Sequence, residues 1–69
     1  LKDHNIEKVK VYLSAREVAQ RYNVSESTLE KWRYKHKGPS YVKICGTIMY
    51  SLEDLYAYEE QNKINLNDL

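Results

Sequence analysis

Leu13-Ser14-Ala15-Arg16-Glu17-Val18-Ala19-Gln20-Arg21-Tyr22-Asn23-Val24-Ser25-Glu26-Ser27-Thr28-Leu29-Glu30-Lys31-Trp32-Arg33 carries two helix starts and one helix stop within a single short stretch. Ser14 offers a hydroxyl to the free amides of a first turn, and Glu17, three residues on, completes a capping box. Ala15, Val18, Ala19 and Tyr22 then recur at helical spacing and form one apolar face. Asn23 tolerates the left-handed backbone that ends a helix. Val24 reads as a buried turn residue, and Ser25 as a second N-cap with Glu26 in the first turn, where an anion suits the helix dipole. Leu29 and Trp32 share a face with Val24 and should pack back on the first helix. The stretch predicts a helix, a tight turn and a second helix.

Successive residues rotate by about 100° around a helix, so the outward face of the second one carries Ser27, Glu30, Lys31 and Tyr34, flanked by Thr28 and Lys35. That face is polar and short-chained at its start and basic toward its end. Lys37-Gly38-Pro39 is expected to stop the helix, because Gly38 can take positive φ and Pro39 cannot continue the hydrogen-bond ladder. Ser40 to Ile44 and Thr47 to Tyr50 are β-branched and aromatic runs separated by Cys45-Gly46, the pattern of a short hairpin whose tip needs Gly46. Val9 to Leu13 reads as a further short strand. Ser51 caps a third helix, with Asp54 at the capping-box position and Leu52, Leu55, Tyr56 and Glu59 along one side, fraying near Asn62 or Lys63.

The predicted fold is therefore mainly α with a small β-hairpin: helix-turn-helix, two-stranded wing and C-terminal helix. Residues 1–10 read as an N-terminal extension, 11–63 as the domain and 64–69 as a flexible tail. The 69-residue length suits one small domain, and no internal repeat or low-complexity tract is present. The chain opens on Leu1 rather than Met, as a trimmed chain or a fragment of a longer protein would. Its one cysteine, Cys45, excludes an intrachain disulfide and fits a cytoplasmic setting. The longest apolar run, Ile44 to Tyr50, is interrupted by Cys45, Gly46 and Thr47, which argues against a membrane partner.

The formal net charge is only +1, but the charges are segregated. Acids and bases balance over residues 1–30; Lys31, Arg33, Lys35, Lys37 and Lys43 follow with no acid before Glu53; and Glu53, Asp54, Glu59, Glu60 and Asp68 then face Lys63 alone. A one-sided positive segment is the footprint expected for a polyanion such as double-stranded DNA, although a charge run is also what a solvated face looks like. One cysteine and two distant histidines give no metal-ligand spacing, and there is no Gly-rich phosphate loop or credible Ser/His/Asp set, so neither a cofactor nor an enzyme is expected. Tyr22, Tyr50, Tyr56 and Trp32 read as core or near-core, whereas Tyr34 is either a DNA contact or simply exposed. His36 reads as solvated among lysines.

Tyr12-Leu13-Ser14-Ala15-Arg16-Glu17-Val18-Ala19, then Val24-Ser25 and Thr28-Leu29-Glu30-Lys31-Trp32, resemble the excisionase-like DNA-binding domains of phages and integrative elements, relatives of the MerR superfamily. Gly38-Pro39, Val42-Lys43-Ile44, Gly46, Tyr50 and Glu53-Asp54-Leu55 continue that likeness, which covers roughly residues 12–60. The resemblance implies a helix in the major groove, a wing along the backbone or minor groove, and small proteins that often bind repeated sites side by side. Its members act as recombination directionality factors, working with an integrase or recombinase, as transcriptional regulators, or as packaging subunits of phage terminases.

Base reading is thus expected from Ser27, Thr28, Glu30, Lys31 and Tyr34, and phosphate or wing contacts from Arg16, Ser25, Arg33, Lys35, Lys37, Lys43, Gly46 and Thr47. Many relatives carry arginines where this chain has Glu26 and Glu30. Acids there weaken general attraction to DNA, but they can accept hydrogen bonds from cytosine amino groups. A domain this small also calls for cooperative self-association on DNA, with wing meeting acidic third helix. The rival expectation is a DNA-binding or partner-recruiting domain of a larger assembly, such as a terminase small subunit or a replication protein.

Overall fold

The computed structural model describes residues 10–66. In chain order they form β1 (Tyr12–Ser14), α1 (Ala15–Tyr22), α2 (Glu26–Tyr34), β2 (Val42–Ile44), β3 (Thr47–Ser51) and α3 (Leu52–Gln61). Part of the stretch read as a strand, and most of the residues read as an N-terminal extension, lie outside the described residues.

All three helices open on a serine. The Ser14 hydroxyl accepts from the Glu17 N–H at 3.1 Å while Glu17 Oε1 accepts from the Ser14 N–H at 2.8 Å, so the capping box is complete. Ser25 and Ser51 accept from the N–H groups of Thr28 and Asp54, each at 3.1 Å. At the other end of α1, Asn23 takes φ 58°. The Asn23 N–H reaches the Gln20 carbonyl and the Val24 N–H the Ala19 carbonyl, which satisfies the last carbonyls and reverses the chain into α2.

α2 ends the same way, and earlier than Gly38-Pro39 predicts. Its last residue is Tyr34; His36 takes φ 57°, with its N–H on the Arg33 carbonyl at 3.1 Å and the Lys37 N–H on the Trp32 carbonyl at 2.7 Å. Gly38 has φ 82° for a different reason, since the backbone there crosses the Trp32 ring and a Cβ would stand 2.7 Å from Cε3. Pro39 is buried beside it. At the hairpin tip both Cys45 (φ 51°) and Gly46 (φ 78°) are left-handed, as a two-residue turn that matches strand twist requires.

β1 joins the two-stranded wing to make a sheet of three strands. β3 lies between β1 and β2, antiparallel to both, with Leu13 opposite Tyr50 and Lys43 opposite Ile48. Leu13, Ile48 and Tyr50 fall on one side of the sheet by strand alternation and face the helices. The core is Val18, Ala19, Leu29, Tyr50 and Leu55, with Ala15, Tyr22, Val24, Trp32 and Leu52 packed around it. Fully burying a Val or Leu side chain contributes about 1.5–3 kcal/mol, so Val18, Leu29 and Leu55 each count for a large fraction of the net stability of so small a fold.

One aromatic is misassigned by the sequence. Tyr56 is 55% exposed, and Tyr58 takes its expected place, packing at 6.0 Å from the Tyr22 ring and 6.1 Å from Trp32. α3 buries its face at Leu52, Leu55 and Tyr58, a three-residue step that points away from Tyr56.

Candidate nucleic-acid interface

Leu29 has no exposed surface, and Trp32 packs beside it, so α2 is seated by one side and its opposite side is fixed outward. There Ser27, Glu30, Lys31, Tyr34 and Lys35 line an open surface concavity of about 320 Å³. Tyr34 is 86% exposed. Among the described residues, Glu30, Lys31 and Tyr34 have no side-chain hydrogen bond or ion pair, so their polar groups face solvent uncommitted.

The structure does not bring every sequence-predicted residue to this face. Thr28 does not line the concavity; its hydroxyl lies 2.9 Å from Ser25 Oγ, and both residues serve the α2 cap. Lys35, expected at the phosphates, lines the concavity with the base-reading candidates. Lys37 is exposed beyond the helix end, Arg16 is exposed in the first turn of α1, and Lys43, Gly46 and Thr47 are exposed on the hairpin. Arg33 is engaged within the protein. Its Nη1 donates to the Tyr50 hydroxyl at 2.7 Å, and its guanidinium lies 5.7 Å from the Tyr41 ring centre. The signal was present in the sequence, because Arg33 follows Leu29 by four residues and so shares its inward-facing side.

A second arginine closes the fold between α1 and α3. Arg21 Nε donates to Glu59 Oε2 at 2.7 Å and its Nη2 to Oε1 at 3.1 Å, while the Tyr22 hydroxyl donates to the same carboxylate at 2.7 Å. These donors hold Glu59 below the usual carboxylate range, Arg21 first and Tyr22 second. Tyr22 is pushed up, by burial and then by the carboxylate, and Arg21 is raised by its bond to Glu59. Glu59 is therefore occupied, whereas Glu53 and Glu60 stand exposed on α3.

Among the described residues no group of three His, Cys, Asp or Glu side chains could hold a metal ion, and no helix is long and apolar enough to cross a membrane. Two capped helices joined by a tight turn, the second exposing a polar and basic face beside a β-hairpin, define a helix-turn-helix protein with a wing. Residues 12–63 match the family model described as "Helix-turn-helix domain", and the chain belongs to that family. The fold implies DNA as its ligand. No curated protein and no solved structure matches the chain significantly.

Proposed function

We propose that this protein binds double-stranded DNA sequence-specifically, laying α2 in the major groove with Ser27, Glu30, Lys31 and Tyr34 toward base edges. The single observation that carries this reading is the concavity on the outward face of α2, lined by uncommitted acidic, basic and aromatic side chains. Lys31 supplies a donor for guanine, Glu30 an acceptor for cytosine, and Tyr34 apolar surface for a thymine methyl. Arg16, Lys35, Lys37, Lys43 and the tip at Gly46-Thr47 serve the phosphates and fix register. The domain is taken as residues 11–63, working in the cytoplasm.

The nine residues of α2 span about 14 Å, roughly four base pairs, too few to single out a genomic site. Contacts are multiplied by cooperative binding to adjacent repeats, with Lys43 of one copy toward Glu53 and Glu60 of the next. Within the family, the Val24-Ser25 turn, Gly38-Pro39 and the Lys43-to-Gly46 hairpin favour an excisionase-type recombination directionality factor, acting beside an integrase, or a small regulator of a mobile element. The alternative, a recruiting domain of a larger assembly, is favoured by Tyr12, Val42 and Ile44, which are 37%, 39% and 47% exposed on the sheet side away from the core.

Selection from a random duplex pool, followed by titrations at two salt concentrations, tests the reading. The expected result is an enriched motif, a steep salt slope, and a loss of about 1–3 kcal/mol of specific binding for Lys31→Ala or Tyr34→Ala. Normal specific binding by both variants would remove the base-reading assignment. A flat salt slope for the native protein would favour recruitment.

A further inference from the structure

Arg33 lies in the last turn of α2, yet its side-chain hydrogen bond and its ring contact both go to the hairpin side of the molecule. Its Nη1 donates to the hydroxyl of Tyr50, a β3 residue that is 1% exposed, and its guanidinium packs on Tyr41, one residue before β2. The Tyr41 and Tyr50 rings are themselves 6.1 Å apart and tilted by 51°. One side chain thus reaches both arms of the hairpin at its open end, away from the tip, and its bond to Tyr50 is among the described residues the only side-chain hydrogen bond from α2 to the sheet. From this geometry we infer that Arg33 is a positioning residue, clasping the hairpin at a fixed angle to α2, rather than a phosphate contact.

The chemistry of the guanidinium suits that role. It is planar and weakly hydrated, so it can donate in its plane to a hydroxyl while its face packs on a ring. Lysine replaces the charge but not the plane, because a strongly hydrated ammonium does not sit half-buried between two tyrosines. A phosphate contact and a clasp therefore respond differently to Arg33→Lys: the first tolerates a point charge, and the second does not. The inference rests on the DNA-binding reading only for its functional half, since an unclasped wing must be ordered at the moment of binding, which lowers affinity.

The test has two arms, both using Arg33→Lys, Tyr50→Phe and the double variant, with Arg33→Ala added to the second. Tyr50→Phe keeps the buried ring and removes only the acceptor. In the free proteins, nuclear magnetic resonance order parameters of the Val42 to Thr47 amides are expected to fall in all three variants, while those of α1 stay at native values. On a short mixed-sequence duplex, each single variant is expected to bind about tenfold more weakly, the double variant no worse than either, and all with the native salt slope. Unchanged hairpin amides overturn the inference. So does native affinity for Arg33→Lys together with a salt slope about one unit smaller for Arg33→Ala, the signature of a lost phosphate contact. If the native protein itself fails to bind the duplex, the DNA-binding reading falls, and the first arm still decides the clasp.

Discussion

Replacing Gly38 by alanine tests how the end of α2 is held against the core. The new Cβ would stand 2.7 Å from Trp32 Cε3 and 3.3 Å from Trp32 Cβ, and the residue would keep φ 82°. Left-handed backbone with a side chain costs about 1–2 kcal/mol. Forcing a packed ring aside adds about 1–3 kcal/mol. The sum, about 2–5 kcal/mol, compares with a total stability of roughly 3–10 kcal/mol for a chain of 69 residues. Gly46 provides the control, having φ 78° but nothing within 4 Å of its Cβ position, so Gly46→Ala should incur the backbone cost alone. Urea denaturation followed by far-ultraviolet circular dichroism gives both values, and Trp32 fluorescence reports the ring itself. Equal losses for the two variants would refute the argument, since the close approach to Trp32 is then not what Gly38 is for.

Three more predictions follow from the same geometry. Leu29→Ala, at a site with no exposed surface, should destabilise by about 2–5 kcal/mol in equilibrium unfolding. His36→Gly should raise stability by about 0.5–1 kcal/mol, because the left-handed strain at φ 57° outweighs glycine's extra chain entropy; a loss in the same assay would contradict this. The pH dependence follows from Glu59, whose folded-state value is depressed: its contribution is complete above the ordinary carboxylate range and lost as pH falls through the depressed value. Acid melting curves should therefore steepen below about pH 4 for the native protein and less so for Glu59→Gln.

What the sequence disclosed best is whatever is settled within three or four residues. Ser14 with Glu17, Ser25 and Ser51 cap their helices by reaching their own backbone, and Asn23 ends α1 by its own conformational tolerance, so each is visible without knowing the fold. The outward face of α2 was legible for the same reason, because Leu29 and Trp32 fix its inward side. Pairing of β1 with β3 joins Leu13 to Tyr50, and no local pattern announces a partner so distant. The stop of α2 at His36 was hidden by a stronger signal two residues later, where Gly38 answers to Trp32 instead of to the helix end. Tyr56 and Tyr58 are both aromatic near an apolar stripe, and only the direction in which α3 leaves β3 decides which is buried. Arg33 was read by its charge alone, and its position, four residues after Leu29, is what carries its side chain to Tyr50.

The central place of β3 has a consequence for how the molecule opens. β3 is bonded on both sides, contributes Tyr50 to the core, and ends at Ser51, which is at once the last strand residue and the cap of α3; Leu52 then donates to the Val11 carbonyl at 2.8 Å. β2 has a partner on one side only and all of its residues are exposed. The hairpin is therefore two strands with separate lifetimes. β2 can peel away in a local fluctuation that leaves the core closed, and its amides then exchange with solvent quickly, whereas β3 cannot leave without taking the core, the start of α3 and the hold on β1 with it. Hydrogen exchange should divide the wing, with the amides of β2 and those of β3 that bond to β2 protected only against local opening, and the β3 amides that bond to β1 protected up to global unfolding.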